Sequence, residues 1–150
     1  MSMKSLSVVE VEYISFRLAK DKFEFNEPIP AFSTRFPNIL ESCLAVPFQK
    51  FSKKDVYHGL IKKASMLFYL MIKNHPFKNG NKRIAMTTLF VLLYKNNKWM
   101  TVDNQELYNF AVWVAASPAG LKDEVVLGIE KFIETHLKDL RLGYRRPARN

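Results

Sequence analysis

The chain has 150 residues, of which 48% are hydrophobic, a composition and length that fit one folded domain with its own core. Its net charge of +9 indicates an anionic partner. The charge alone does not distinguish an acidic protein from a nucleotide polyphosphate or a nucleic acid. A single cysteine excludes a disulfide framework, and charges interrupt every apolar run before it reaches membrane-spanning length.

The two ends of the chain set the expected domain limits. Glu10 and Glu12 interrupt any apolar leader, and with the lone cysteine they predict a cytoplasmic protein without a membrane segment. We expect one domain over residues 1–140 and a basic tail over 141–150. The tail is predicted to be disordered, with a contact to a partner or RNA as the alternative, although the chain lacks a recognisable nucleic-acid-binding signature.

The first third of the chain alternates between helical and irregular patterns. Apolar spacing predicts a helix from Ser5 to Lys20, and three prolines predict an irregular loop over residues 21–37. The segment from Leu40 to Phe51 begins like a helix, but Pro47 interrupts it. Its conformation is therefore ambiguous from the residues alone.

Two long apolar segments are expected to form the centre of the domain. The first is a helix over Val56–Asn74 with Asp55 as its cap, and the second is a helix over Lys82–Tyr94. Asn96 and Asn97 suit the end of the second helix, because asparagine tolerates left-handed backbone geometry. Both helices are apolar on nearly every face, so both should be buried.

The last third predicts a short strand followed by two helices. Trp99–Val102 has strand character, and Asp103 with Glu106 forms a capping box that starts a helix. That helix should stop at Ser117–Pro118, because the residue before a proline disfavours helical geometry. A final amphipathic helix is predicted over Leu121–Leu140.

The loop between the two central segments reads His75-Pro76-Phe77-Lys78-Asn79-Gly80-Asn81-Lys82-Arg83. Asn81 is a plausible N-cap, and its amide is also a hydrogen-bond donor; two cations follow it directly. A cation at a helix N-terminus opposes the helix dipole, at about 0.3–1 kcal/mol each. The pattern therefore predicts that a phosphate binds there, with His75 as a resident base that exchanges protons near neutral pH.

Each neighbouring side chain has a role in such a phosphate site. Arg83 can grip a phosphate with two parallel hydrogen bonds, and Lys82 acts as a mobile point charge. Gly80 lets the backbone approach the phosphate closely. Phe77 is expected to anchor the loop in the core. Lys73 is either one more cation of the pocket or a surface lysine.

These residues resemble the Fic/Doc family, whose motif runs roughly His-x-Phe-x-Asp/Glu-Gly/Ala-Asn-Gly/Lys-Arg. The resemblance extends over residues 38–117, and Leu40–Phe48 looks like the family's flap segment. It implies an all-α fold: a compact Fic/Doc-type helical bundle with a central motif-bearing helix pair and a short extended flap. It also implies that His75 is the general base, taking the proton from a target hydroxyl.

Two positions favour one branch of this family. Lys82 stands where enzymes that transfer AMP carry glycine, and Met86 stands where they carry a second arginine. The pattern is closer to the death-on-curing (Doc) toxins of toxin–antitoxin modules. That resemblance implies transfer of the terminal phosphate of ATP to a hydroxyl of a translation elongation factor such as elongation factor Tu. Transfer of AMP (protein adenylylation) is the alternative reading.

Asn79 departs from the family motif, which has an acidic residue that holds Mg²⁺ at this position. An amide oxygen can be a ligand but brings no charge, whereas Mg²⁺ is usually bound through one or two carboxylates and phosphate oxygens. The resemblance therefore implies an ATP-dependent transferase with weakened metal binding. A module that binds nucleotide or a partner without catalysis is the further alternative.

The resemblance also implies two kinds of protein contact. In the family the flap takes the target as an added strand, which here assigns target docking to Glu41, Ser42, Cys43, Leu44 and Ala45. Many members restrain themselves with a helix that carries Ser or Thr four positions before a glutamate, and no glutamate of this chain has that spacing. We therefore expect that an antitoxin with an acidic segment restrains the chain in trans, or that the chain has no such restraint.

Overall fold

The computed structural model describes residues 3–22 and 27–140, and within them helices dominate. In chain order, the elements are α1 (Val8–Glu10), a π-helical turn (Val11–Ser15), α2 (Phe16–Lys22), α3 (Pro37–Ala45), β1 (Lys50–Phe51), β2 (Lys54–Asp55), α4 (Leu60–Lys73), α5 (Asn81–Lys95), β3 (Lys98–Met100), α6 (Asn104–Ala116), α7 (Lys122–His136) and β4 (Leu137–Asp139). Short 3₁₀ turns lie at Phe32–Thr34, Val46–Phe48 and Ala119–Leu121. The predicted all-α fold class is confirmed. Across the described ranges, no helix combines the length and apolar character that crossing a bilayer requires.

The centre of the fold is the pair of contacting helices α4 and α5, which the loop 74–80 joins. Every α4 residue from Lys63 to Ile72 is buried, as is every α5 residue from Arg83 to Leu93. Helices that are apolar on all faces must be covered on all faces, and here α2, α6 and α7 supply the cover. The predicted buried helix pair is confirmed.

The N-terminal helical segment packs on α5. Ser7 caps it through a reciprocal pair of hydrogen bonds with Glu10, so α1 begins at Val8 rather than at Ser5. Glu10 also forms an ion pair with Lys95 at 2.7 Å, which joins the first helix to the end of α5. These contacts position α2 beside the start of α5.

The start of α4 differs from its prediction. Asp55 does not cap this helix; it lies in β2, and α4 begins only at Leu60, after Gly59 with φ of 85°. The carboxylate of Asp55 instead accepts from two ammonium groups, Lys63 at 3.1 Å and Lys50 at 3.3 Å. The segment before α4 forms a hairpin, and those cations hold the carboxylate within it.

The predicted extended flap is wrong in position. Residues 37–45 form helix α3, which has Pro37 at its first turn and buries Leu40, Cys43 and Leu44. Spacings of three and four residues place these side chains on one helical face. The extended structure comes later, in the hairpin β1–β2, where Lys50 pairs with Asp55 and Phe51 with Lys54.

In the C-terminal third, one predicted helix is confirmed and another is shorter than predicted. Asp103 accepts hydrogen bonds from the backbone N–H groups of Gln105 and Glu106, and α6 ends at Ala116, as predicted. The last helix does not reach Leu140. It ends at His136, because the next residues form β4 and pair with β3 in the register Lys98↔Asp139 to Met100↔Leu137.

Both ends of the described chain meet at the turn after α5. Asn97 adopts the expected left-handed geometry, with φ of 65°. The side chain of Asn96 accepts from Lys4 N–H at 2.8 Å and donates to Lys4 O at 2.9 Å, while Leu140 N–H donates to Asn97 O at 3.0 Å. The basic tail predicted over 141–150 lies outside the described residues.

The hairpin carries a pH-dependent contact. Hydrogen bonds from Lys63 and Lys50 lower the pKa of Asp55 below its ordinary value. A lowered pKa stabilises the fold above the unfolded pKa near 3.9, and that contribution is lost as the pH falls through the folded pKa. We therefore expect the stability difference between wild type and Asp55→Asn to be full above about pH 4 and to vanish in stronger acid. Urea unfolding of both proteins between neutral and acidic pH measures it; a constant difference would contradict the assignment.

Candidate functional site

The loop that joins α4 to α5 has two residues in left-handed geometry. His75 has φ of 51° and Gly80 has φ of 73°. Left-handed geometry is unfavourable for a residue with a side chain, so the surrounding contacts must hold His75 in place. Its side chain is exposed to solvent. The loop therefore presents the imidazole at the surface, directly before the start of α5.

Asn81 supplies the contacts that hold the loop. Its side-chain oxygen accepts from Phe77 N–H at 3.0 Å, and its amide nitrogen donates to Phe77 O at 2.9 Å. Asn81 is the first helical residue rather than the N-cap, which is Gly80. The first turn of α5 therefore has no side-chain cap, and its amide groups stay available to an anion.

His75 faces the same asparagine. Its Nδ1 lies 3.4 Å from the amide nitrogen of Asn81, whose orientation is set by the two bonds to Phe77. In the neutral imidazole this contact favours the lone pair on Nδ1 and the hydrogen on Nε2. At 3.4 Å the contact is long, so it opposes the other tautomer only weakly.

Phe77 fixes the loop to the core. The residue is 1% exposed, and its ring centroid lies 5.6 Å from that of Phe16 and 5.8 Å from that of Phe32. These spacings are typical of favourable aromatic pairs. The ring therefore joins the loop to α2 and to the turn before α3.

Gly80 is enclosed by the segment before α3. A Cβ atom at this position would lie 2.6 Å from the Ile29 side chain and 3.0 Å from Pro28 O. Gly80→Ala therefore meets both left-handed strain and a backbone contact, and we expect it to destabilise the fold by about 2 kcal/mol. Gly59→Ala is the matched control, because its φ is 85° and nothing lies within 4 Å. It should cost only about 1 kcal/mol in urea unfolding; equal effects would contradict the close approach at Gly80.

Arg83 points into the protein. It is 6% exposed, and its guanidinium donates to Ala19 O at 2.6 Å and to Glu27 O. Its Nε atom is buried and has no hydrogen-bond partner among the described residues. The side chain thus holds Ala19 of α2 and the backbone of Glu27 against α5. As folded, this arginine is a clamp between chain segments.

Lys82 belongs to a second polar contact with the same segment. Its ammonium lies 2.8 Å from the Glu27 carboxylate, which also accepts from the Tyr108 hydroxyl at 3.3 Å. Burial, together with the negative charge of Glu27, raises the pKa of Tyr108. Glu27 also has a buried oxygen, Oε1, without a hydrogen-bond partner among the described residues. Lys82 therefore lies at the loop but is already paired.

Lys73 has its hydrogen-bond partners at the end of α6. Its ammonium donates to Ala115 O at 3.2 Å and to Ser117 O at 2.5 Å. Carbonyl groups at the end of a helix lack partners within the helix, and a cation there is favourable. Lys73 therefore caps the C-terminal end of α6, a role that neither of the two predicted alternatives included.

The residues at the loop do not fit a protein-held Mg²⁺ ion. Asn79 is exposed, and its side-chain oxygen accepts from Gly80 N–H at 2.8 Å. Within the ranges 3–22 and 27–140, no three His, Cys, Asp or Glu side chains group together as metal ligands. Among the described residues, the carboxylate that contacts the motif is that of Glu27, and it is paired with Lys82. Mg²⁺ requires hard, usually charged oxygen ligands, which this set does not provide.

The residues assigned to target docking lie on α3, with their helix in contact with the motif loop. Phe36 N–H, before α3, donates to Pro76 O at 2.9 Å. Cys43 and Leu44 are buried, while Glu41, Ser42 and Ala45 face solvent. Burial raises the pKa of Cys43 to about 12, so its thiol is unreactive. A helix bonds its own backbone groups, so α3 offers no edge to a target strand.

Glu27 and Tyr108 are site residues that sequence reasoning missed. Glu27 lies in a proline-containing segment predicted only as a loop, and Tyr108 lies on α6. Glu27 contacts Lys82, and Tyr108 contacts Glu27, in both cases across long stretches of chain. One signal was available: two adjacent cations on a buried helix, Lys82 and Arg83, require internal partners when no ligand is bound.

The chain was compared with known proteins to find its family. No curated protein and no solved structure matches the chain. The model of the Fic/DOC family matches residues 5–93. The match begins earlier and ends earlier than the resemblance over 38–117 and includes the N-terminal helical segment. Because it covers more than half of the 150 residues, the chain belongs to the Fic/DOC family.

Proposed function

We propose that this chain transfers the terminal phosphate of ATP to a hydroxyl group of a protein, as a death-on-curing toxin of a toxin–antitoxin module. Membership in the Fic/DOC family supports transfer of AMP or phosphate as the reaction class. The observation that carries the proposal is the position of His75, exposed and held in left-handed geometry before the uncapped start of α5. Lys82 in place of glycine supports phosphate over AMP.

The reaction divides into one proton transfer and one phosphoryl transfer. The imidazole of His75 takes the proton of the target hydroxyl, as a general base. The hydroxyl oxygen bonds to the γ-phosphorus, the bond from that phosphorus to the bridging oxygen breaks, and ADP leaves with the electron pair. Nε2 can accept the proton only in the tautomer with hydrogen on Nδ1, which the long contact to Asn81 permits.

ATP in this proposal is held mainly by the start of α5. The free amide groups of its first turn and the helix dipole attract phosphate oxygens. Lys82 can add its charge by leaving Glu27, since its side chain is 26% exposed at the surface. Arg83 stays bonded to the carbonyl oxygens of Ala19 and Glu27 and stabilises this region from within.

Asn79 provides a direct test of the metal site. Asn79→Asp adds the charge that the family motif has, so we expect measurable Mg²⁺ affinity in the presence of ATP and a higher transfer rate. Isothermal titration of Mg²⁺ against the ATP-loaded protein gives a readout independent of activity. Asn79→Ala is the control and should bind no more Mg²⁺ than wild type. Equal titrations for Asp and Asn would show that the position does not face the nucleotide.

The proposed reaction is tested with ATP labelled at either the γ or the α phosphate. The protein is incubated with elongation factor Tu and each label, beside the His75→Ala variant. Transfer of the γ label by wild type alone supports the proposal. Transfer of the α label instead identifies AMP transfer and overturns it. Transfer of neither label while ATP still binds favours the second candidate.

The second candidate is a module that binds nucleotide or an acidic partner without catalysis. Three observations favour it: Asn79 lacks charge, Lys82 is paired with Glu27, and Arg83 is bonded to carbonyl oxygens. Under this reading, ATP binding is unchanged in His75→Ala, and Asn79→Asp restores no transfer. Transfer by the wild-type protein excludes it.

The toxin proposal includes an antitoxin that acts in trans. Expression of this chain without a partner protein should then arrest growth, while the His75→Ala chain should not. Normal growth of cells that produce the folded wild-type chain would contradict the toxin role. Normal growth would not decide whether the transfer reaction occurs; the labelling experiment decides that.

A further inference from the structure

The segment 27–36, which we call the covering segment, runs along the motif loop in the opposite direction. Its contacts with the motif follow the reverse order of the motif's sequence: Glu27 with Lys82 and Arg83, Ile29 beside Gly80, Phe32 with Phe77, and Phe36 with Pro76. The last contact is a hydrogen bond of 2.9 Å from Phe36 N–H to Pro76 O. The C-terminal end of the covering segment therefore lies next to the residue that follows His75, and its one cation, Arg35, is at this end.

The guanidinium of Arg35 has few partners. The residue is half-buried, and the guanidinium lies 4.4 Å from the centroid of the Phe32 ring. Its hydrogen bond within the described chain is a long one, from Nη1 to Phe32 O at 3.3 Å. The Nε atom is buried and has no partner there. Phe32 thus holds the guanidinium in place, while most of its five N–H donors have no acceptor among the described residues.

This environment differs from that of the other basic groups of the site. Arg83 is bonded to two carbonyl oxygens, and Lys82 is paired with the Glu27 carboxylate. A cation that is partly removed from water without an anion raises the free energy of the folded protein. A bound anion would supply the missing acceptors. Arg35 is therefore the basic residue at this end of the loop whose donors are left for a ligand.

We infer that Arg35 binds the terminal phosphate of ATP and is a catalytic residue of the transfer. The inference rests on the proposed function for the identity of its ligand. A guanidinium matches two phosphate oxygens with two parallel hydrogen bonds. As the bond to the bridging oxygen breaks, charge is spread over the three oxygens of the transferred group, and donors aimed at them lower the barrier. Arg83, bonded inward, does not supply such donors.

The other anion that fits a guanidinium is an acidic side chain of the target protein. The terminal phosphate is favoured, because every turnover brings it next to the hydroxyl that His75 deprotonates. The uncapped start of α5 attracts phosphate to the same place. The amide nitrogen of Asn81, the first residue of α5, lies 3.4 Å from the His75 ring, so helix start and base adjoin. The experiment treats the acidic target as an opposing outcome.

The test compares the affinity of the full-length protein for ATP and for ADP by isothermal titration, without a target protein. Arg35→Met keeps an apolar stem against Phe32 and removes the charge. We expect it to weaken ATP binding by about tenfold or more, because hydrogen bonds to a charged group are lost, and to change ADP binding by less than about twofold. Arg17→Met is the matched control, since Arg17 is an exposed arginine that lies 5.3 Å from the centroid of the Tyr13 ring. It should bind both nucleotides like wild type.

The rate of γ-label transfer at saturating ATP gives a second readout. Arg35→Met should lower this rate by about tenfold or more, because the donors act on charge that develops in the transition state. Arg35→Lys should recover part of the ATP affinity, since the ammonium keeps the charge but lacks the planar fork. Arg35→Gln keeps an amide donor for Phe32 O, and it takes the place of Arg35→Met if urea unfolding shows that the methionine variant does not fold.

Three results would overturn the inference: wild type binds ATP no more tightly than ADP, the variant loses affinity for both nucleotides equally, or its ATP affinity is unchanged. In the last case, a raised KM for the target protein would assign Arg35 to the target. Failure of the proposed function looks different. If wild type transfers no γ label but Arg35→Met loses affinity for ATP alone, the arginine binds the phosphate and the transfer proposal fails. If wild type transfers the γ label and Arg35→Met binds and labels like it, the inference on Arg35 fails alone.

Discussion

Replacement of His75 by alanine is expected to lower the rate of phosphate transfer by about 10²–10⁴-fold, because a positioned general base contributes about that factor. The side chain is exposed, and its one described polar contact is the long one to Asn81. Its removal should therefore leave the fold intact. The initial rate of γ-label transfer to the target protein, at saturating ATP, measures the effect.

Lys78→Ala is the control for this experiment, since Lys78 is exposed in the same loop and the motif leaves its position open. It should transfer phosphate at nearly the wild-type rate and unfold at nearly the same urea concentration. If a folded His75→Ala protein transfers phosphate as fast as wild type, the imidazole has no part in the reaction. The position of the loop would then be a structural feature only.

Replacement of Arg83 by alanine is expected to destabilise the protein by about 3–5 kcal/mol, because each hydrogen bond to a charged group contributes about 1.5–3 kcal/mol. The two carbonyl oxygens, of Ala19 and Glu27, would lose their donor inside the protein. Urea unfolding at constant m value measures the change. The loss should appear without ATP, as the clamp is present in the free protein.

Arg83→Lys tests whether charge alone is enough. A lysine ammonium keeps the charge but lacks the planar fork that reaches both carbonyl oxygens, so we expect an intermediate loss of stability. If Arg83→Ala unfolds like wild type but no longer binds ATP, the clamp is unimportant and the arginine binds phosphate. Lys78→Ala again serves as control, with an expected change within about 0.5 kcal/mol.

The helix pair at the centre could be predicted because its signal is local. Apolar residues on every face of Val56–Asn74 and Lys82–Tyr94 require burial whatever their neighbours are. The Asp103 cap and the stop at Ser117 could be predicted for the same reason, since each depends on residues within one turn. Elements whose conformation depends on nearby residues were therefore placed well.

The errors concern contacts between residues that are distant in the sequence. Asp55 has the side chain of a good cap, but two lysines hold its carboxylate, and the residues around it form a hairpin. The last helix shortens because Leu137–Asp139 pairs with a strand about forty residues earlier. The helix propensity of these residues favours a helix, but their pairing with β3 outweighs it.

The phosphate-site prediction rests on the charges of Lys82 and Arg83, and the sequence did not show what surrounds them. Two cations at a helix start do require compensation, as the dipole argument holds. In this fold the compensation comes from Glu27 and from the carbonyl oxygens of Ala19 and Glu27. A sequence shows which charges need partners; it does not show whether a ligand or the protein itself provides them.

The turn at Asn96–Asn97 has a consequence for how the chain can be connected. Lys4 is bonded to one of these asparagines and Leu140 to the other, so residues from opposite ends of the described part of the chain occupy adjacent positions. A short linker between them would close the polypeptide into a ring with no rearrangement of the helices. New termini could then be opened elsewhere, and a circular permutant built in this way should retain the native architecture.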